Sequence, residues 1–155
     1  MEGKAILSKK SNLRLLFFNA QSIRNKIDEL EVMLNDGNES YGIIGLSEHW
    51  LLPYESDELA IANYRVSAHF SRAKGYGGSM LLTRNNIDFQ KVADIDKLSV
   101  EKVCEVSAIS VPSLNVVVVS VYRSPSSDFQ LFLCTFCDIV NQIRSKDVNV
   151  VIGGD

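Results

Sequence analysis

Positive charge is what this sequence most plainly lacks. Lysine and arginine together number 16 against 19 aspartates and glutamates, giving a formal net charge of -3 and a pI near 5.4. No global basic field exists to hold nucleic acid nonspecifically, so any contact with DNA or RNA has to come from local clusters. Histidine is scarce too: His49 and His69 are the only two, at no zinc-finger spacing. The three cysteines are an odd number without a secretory signal, which argues against a disulfide framework and a disulfide partner. Cys134 and Cys137 form a C-x-x-C, but they lie inside an amphipathic helical pattern and no second pair accompanies them. All three cysteines are therefore read as core or near-core thiols. No apolar run approaches membrane-spanning length, and the apolar core of MEGKAILSKKSN is too short for a signal peptide. A reducing intracellular compartment, nuclear or cytoplasmic, is the expectation, with no membrane partner. P-loop, G-x-G-x-x-G and G-x-S-x-G motifs are also missing, as is a Cys-His nucleophile spacing.

What the sequence does have is a set of short apolar runs that each end in a polar residue. Gly42 to Trp50, GIIGLSEHW, reads as a buried strand that delivers Glu48 at its carboxyl end. Leu13 to Asn19 ends in an amide, Val116 to Tyr122 in a phenol, and Val148 to Asp155 runs through two glycines into a carboxylate. A single polar strand end is ordinary, because loops are wet. Four of them, carrying Asn19, Glu48, Tyr122 and Asp155, point to chemistry, since ligands in open α/β sheets gather beyond the carboxyl ends of the strands.

Taken in order, residues 1–12 read as a tail and residues 13–155 as one α/β domain of ordinary globular composition, 46% hydrophobic and 23% charged. Ser22 is the expected N-cap of a first helix in which Ile23, Ile27, Leu30 and Leu34 share a face, and Gly37 its left-handed cap. Strand, helix, strand up to Glu48 suggests a βαβ unit with parallel neighbours, which puts Asn19 and Glu48 at one sheet edge. Leu51 to Ala62 reads as a loop or short helix. Tyr64 to His69 and Ser79 to Arg84 read as strands around a basic, glycine-rich hairpin, Ser71 to Gly78. Asn86 to Val92 and Lys102 to Val111 are further strands, the second forming an antiparallel hairpin with Val116 to Tyr122. Ser127 is the expected cap of a second helix, with Phe129, Phe132, Leu133, Phe136, Ile139, Val140 and Ile143 on a broad apolar face.

These residue types suit hydrolysis of a phosphodiester, which needs a cation on the phosphate oxygens, a positioned water and donors for developing charge. Magnesium is satisfied by one or two carboxylates and several waters. Glu48 is the candidate metal ligand, Asp155 the group that orients or deprotonates the water, and Tyr122 and Asn19 the hydrogen-bonding groups. Arg72, Lys74, Arg84 and Arg123 lie in or beside loops and are candidates for a local phosphate-binding rim.

The order LRLLFFNAQS, GIIGLSEHW, GYGGSMLLTR, VVVVSVYRSP, VNVVIGGD resembles the amino-terminal part of the endonuclease/exonuclease/phosphatase superfamily. It is most similar to the apurinic-type endonuclease domains of LINE-class (non-LTR) retrotransposons. The resemblance implies part of a two-sheet α/β sandwich with mixed sheets and helices outside, Mg2+ dependence with Mn2+ as an alternative, and nicking of DNA. It assigns Glu48 to the metal, Asn19 to the floor of the site, Tyr122 to the scissile phosphate and Asp155 to the attacking water. Gln21, Arg72, Lys74 and Arg123 become substrate-binding candidates, and a reverse transcriptase domain in a longer polyprotein becomes a candidate partner. The family pattern continues beyond G-G-D with an asparagine and a distant Ser/Thr-Asp-His motif. The chain is thus expected to be a fragment that lacks most of the second sheet, exposes a large apolar patch and is weak or inactive alone. The alternative from another class is a non-catalytic nucleic-acid-binding or protein-interaction module that keeps the half-fold.

Overall fold

The computed structural model describes residues 13–35 and 40–155. The amino-terminal tail and the cap expected at Gly37 lie outside the described residues. The elements run β1 (Leu15–Asn19), α1 (Ile27–Asn35), β2 (Ile43–Ser47), α2 (Pro53–Glu58), β3 (Tyr64–Phe70), β4 (Ser79–Arg84), β5 (Gln90–Lys91), α3 (Ala93–Asp96), β6 (Glu105–Val111), β7 (Val116–Tyr122), α4 (Phe129–Arg144) and β8 (Asn149–Gly154). They build two four-stranded sheets, ordered β1-β2-β4-β3 and β5-β6-β7-β8. β1 and β2 are parallel across α1, and β7 and β8 are parallel across α4. All other pairs are antiparallel. Two βαβ crossovers, one per sheet, therefore end their strands at the same end of the molecule.

The apolar runs of β2, β4, β6 and β7 are unbroken because both faces of these central strands are covered, which removes the alternation a half-exposed strand would show. Ile43, Leu81, Ile109 and Val118 point into the space between the sheets. Ile44, Leu46 and Leu82 point the other way, onto Leu30 and Leu34 of α1. Val117, Val119 and Val121 do the same for α4, meeting Ile139 and Ile143. The result is a helix, sheet, sheet, helix sandwich. Burying each of the two α4 isoleucines is worth about 1.5 to 3 kcal/mol.

Several expectations are corrected. Ser22 does not cap α1: it has φ of 76° and gives its N–H to the Glu48 carbonyl, so the chain turns before the helix begins at Ile27. The second helix is capped by Asp128, whose side chain accepts from the Leu131 N–H, not by Ser127. Only Gln90–Lys91 of the stretch from Asn86 to Val92 pairs as a strand, and α3 follows it. Cys104 is buried, but Cys134 and Cys137 are exposed on the solvent side of α4, and Phe129 is 54% exposed rather than part of the packed face. The second sheet is present as four strands, β5 to β8. The runs at Ile43 to Leu46 and Val116 to Val119 are covered; the apolar surface left exposed lies on the edge strand β8, at Val150 and Ile152, and on half-buried β1. Among the described residues no helix is long and apolar enough to cross a membrane.

Candidate active site

At the shared carboxyl end of the parallel strands, Asn19 joins the two sheets. Its amide Nδ2 donates to Glu48 Oε1 at 3.0 Å and to Asp155 Oδ2 at 2.7 Å. Its Oδ1 accepts the Gln21 N–H at 3.0 Å. That last bond fixes the orientation: with the oxygen engaged, both amide hydrogens face the carboxylates. The two carboxylates thus lie within two hydrogen-bond lengths of each other. Tyr122, buried, brings its phenol into hydrogen-bond contact with Glu48, and its pKa is pushed up to about 12 by burial and by the Glu48 charge. The Trp50 indole N–H donates to Glu48 Oε2 at 3.2 Å. All four strand-end residues from the sequence reading are therefore gathered in one place.

Local sequence explains the convergence. Gly154, at φ of 150°, lies so close to the Val121 backbone that a Cβ would fall 1.7 Å from its carbonyl oxygen. Only glycine lets β8 run on beside β7 here and deliver Asp155, whose N–H donates to Val121 O and whose carbonyl accepts from the Arg123 N–H. The Phe17 ring fills the space left by the missing side chains of Gly45 in the first sheet and Gly153 in the second. This slot draws β1 and β8 together. Below the carboxylates the inter-sheet core turns polar: Ser79 Oγ lies 2.8 Å from both Ser107 Oγ and Ser120 O, and Ser47 is buried beside them in the strand next to β4.

Glu48 sits on a strained loop. Five of the nine non-glycine residues with left-handed backbone among the described residues are Gln21, Ser22, Glu48, Trp50 and Tyr76, all in the loops around this carboxylate. Each such residue costs on the order of 1 to 3 kcal/mol, and clusters of them mark functional sites. Backbone bonds on both sides hold the loop. Ala20, Ser22 and Ile23 donate to the carbonyls of Ser47, Glu48 and His49, while Glu48 and Trp50 donate to Gly78 and Gly77. His49 bolts it from within. Its Nδ1 accepts from the Leu51 N–H and its Nε2 donates to Phe70 O; burial lowers its pKa to about 4, so the ring is neutral.

The basic candidates fare differently. Arg72 is buried, not on a rim: it pairs with Glu105, itself wholly buried, and its guanidinium lies over the Tyr122 ring at 5.9 Å. Arg123 bonds Ser127 O and stacks on Phe129 and Phe132. Arg84 ends β4 beside Tyr64, at the other end of the sheet from Ser79 and Glu48. Lys74 is exposed, and Gln21 turns its side chain outward while supplying the backbone N–H. No single rim gathers these cations. Sequence reasoning missed Trp50, Tyr76, Arg24 and Glu105; the only available signal was that Trp50, the chain's one tryptophan, follows Glu48 by two residues.

Among the described residues no group of three or more His, Cys, Asp and Glu is placed to hold a metal ion. The donor set at hand is two carboxylates on one amide, which fits a hard, hydrated divalent cation that keeps most of its waters. A cleft of about 420 Å3 lies away from this site, at the amino-terminal ends of β1 and β2 beside Gly42, Ile87 and Leu114.

Comparison with solved structures places this architecture. The chain is similar to the endonuclease domain of TRAS1, a telomere-specific non-LTR retrotransposon, with a TM-score of 0.64 at 19% identity over 92% of this chain. It is also similar to the 3' phosphatase NExo from Neisseria, bound to product DNA hairpin, with a TM-score of 0.62 at 19% identity and again 92% coverage. The chain shares the two-sheet α/β sandwich fold of these two structures. It spans 58% of the first of these structures and 57% of the second. No family model and no curated relative matches the sequence.

Proposed function

We propose that this chain carries the metal-binding and phosphate-positioning part of a divalent-metal-dependent DNA endonuclease, with Mg2+ as the ion and Mn2+ as a substitute. The observation that carries this reading is the single Asn19 amide holding Glu48 and Asp155, carboxylates from different sheets, side by side. A bound divalent ion polarises the phosphate oxygens and offsets the charge that develops on them. Glu48, bonded by Asn19 at Oε1 and by Trp50 at Oε2, keeps further lone pairs on its oxygens for the ion. Asp155, exposed at the strand end, orients the attacking water. Tyr122, a protonated phenol at neutral pH, turns its single O–H from Glu48 to the phosphate, while Asn19, whose two amide hydrogens hold the carboxylates, forms the floor of the site. DNA is the proposed partner, and a reverse transcriptase domain in a longer polyprotein belongs to the same reading.

Alone, the chain is expected to be slow. Both ring nitrogens of His49 are taken by backbone, and those of His69 by Ser71 and Asp57. No imidazole serves the site as a base, a deficit that typically removes about two or more orders of magnitude in rate. The same observation favours, as the second reading, a nucleic-acid-binding module that keeps the site without turnover.

Trp50 lies against Glu48 and so sensitises a lanthanide bound there. Terbium luminescence excited through tryptophan should appear, be displaced by Mg2+ and vanish in Glu48→Gln. Emission that persists in both Glu48→Gln and Asp155→Asn rejects the site. Supercoiled-plasmid nicking in Mg2+ then separates the two readings: terbium binding without any nicking supports the binding module.

A further inference from the structure

Beside the carboxylates stands a feature that phosphodiester hydrolysis does not require. Tyr76, at the tip of the glycine-rich hairpin, is 65% exposed and packs its ring at 5.1 Å, tilted by 59°, against Trp50. A single exposed aromatic is ordinary, but two in contact beside a third make an exposed patch of the kind that marks a binding surface. Here the backbone is held in the left-handed region at both Trp50 and Tyr76 to present the pair. The Trp50 N–H is spent on Glu48, which locks the indole plane relative to the carboxylate. Tyr54, 59% exposed on α2, and the half-exposed Arg24 guanidinium, which pairs with Glu55, complete the surroundings; both phenols lie within electrostatic reach of Arg24. Exposed aromatics interleaved with arginine beside a phosphate-directed site are the elements of a nucleobase platform, since every base has a π-face and the guanidinium meets the backbone.

We propose that Trp50 and Tyr76 form a stacking platform for an unpaired base of a DNA strand, holding it beside the Glu48 carboxylate. The inference rests on the DNA reading above and adds to it a preference for single-stranded or unpaired substrate. A base inside a duplex cannot present its face to the hairpin tip without leaving its neighbours. A frayed or single-stranded one pays no such cost.

The single tryptophan makes the test direct. The 155-residue chain is titrated with a short oligothymidylate and with a duplex of equal length, following Trp50 emission and, separately, the anisotropy of an end-labelled strand. Quenching by the single strand and not by the duplex is expected. Tyr76→Ala, at an exposed position where the fold is untouched, should weaken single-strand affinity about tenfold; Tyr76→Phe should restore it. Quenching by duplex as strong as by single strand overturns the preference for an unpaired base. Single-strand binding seen by anisotropy but without quenching, or unaffected by Tyr76→Ala, overturns the platform and leaves the DNA reading standing. Anisotropy unchanged with either strand overturns both, whereas the terbium experiment still reports on the carboxylates.

Discussion

Two glutamates hang from opposite sides of one glycine. Gly78 accepts the Glu48 N–H through its carbonyl and gives its own N–H to Glu105 Oε2. Glu105 is wholly buried and receives donors from Arg72, Gly78 and the Lys102 N–H. Glu48 is half-buried and meets Asn19, Trp50 and Tyr122. One carboxylate is enclosed by its partners, which makes it a structural anchor; the other is only partly buried, and it is the one proposed above to take a further ligand. The type of residue is identical, so what separates structure from function is how the loop between them divides the donors.

The largest effect should come from breaking the enclosed one. Removing one partner of a buried ion pair costs about 3 to 5 kcal/mol, because the other charge is left uncompensated. Arg72→Ala or Glu105→Ala should therefore lower the urea midpoint steeply without changing the slope. Replacing both partners by apolar residues of similar size, Arg72→Met with Glu105→Leu, should recover much of the loss. A single variant as stable as the wild type would show that Glu105 is not the anchor.

Next is the buried histidine behind the Glu48 loop. The unfolded chain protonates His49 near 6.5, but the folded chain resists until about 4. Its contribution is therefore full above 6.5 and lost as the pH falls toward 4, in all about 3 kcal/mol. Asp96, in the other sheet's half, works in the opposite sense: burial raises its pKa from 3.8 to about 6, so its contribution is favourable in acid and is lost as the pH rises through 6. Over the shared window the two offset each other. Asp96→Asn should expose the histidine term, making stability fall more steeply between about pH 7 and about pH 5 than in the wild type. An equal fall in unfolding free energy between the two pH values in Asp96→Asn and the wild type, measured by urea unfolding, would refute the assignment.

Gly78 itself is the shared element. At φ of 95° a Cβ would fall 2.3 Å from His49 Nε2, so Gly78→Ala meets both backbone strain and a clash. A loss of about 1 to 3 kcal/mol is expected from the strain alone, with terbium binding weakened as well because the Glu48 loop shifts. An alanine variant with both properties intact would mean that the turn does not couple the two carboxylates.

How much of this contrast the sequence shows depends on whether partners are near in the chain. Asn19, Glu48, Tyr122 and Asp155 are legible because each ends an apolar run, and parallel βαβ units bring such ends together whatever the loops do. Glu105 is not: its partner Arg72 lies 33 residues away, and a basic glycine-rich hairpin reads the same whether its arginine points into solvent or into the core. Ser22 looks like a helix cap because the local pattern allows it. Its N–H is claimed instead by the Glu48 carbonyl, a tertiary bond no local pattern encodes. The Trp50–Tyr76 contact is likewise tertiary, joining the end of β2 to the hairpin tip.

The smallest effect on stability should come from the open carboxylate, and it is the most informative. Glu48→Gln keeps the volume and an acceptor for Asn19 or Trp50 while removing a negative charge that stands close to Asp155. Relief of like-charge repulsion and the weakened hydrogen bonds act in opposite directions, so stability without metal should move by less than about 1 kcal/mol. Added Mg2+ changes the picture. A ligand that binds only the folded chain raises its stability, by about 2.7 kcal/mol at a hundredfold excess over Kd. Thermal unfolding should show that upward shift in the wild type and in Glu105→Gln, whose baseline is low but whose outward carboxylate is intact, and no shift in Glu48→Gln. If Mg2+ instead stabilises Glu48→Gln as much as the wild type, the open valence is not where the ion goes and the contrast between the two glutamates fails. If it stabilises neither, the pair of carboxylates held by Asn19 does not form a metal site at all.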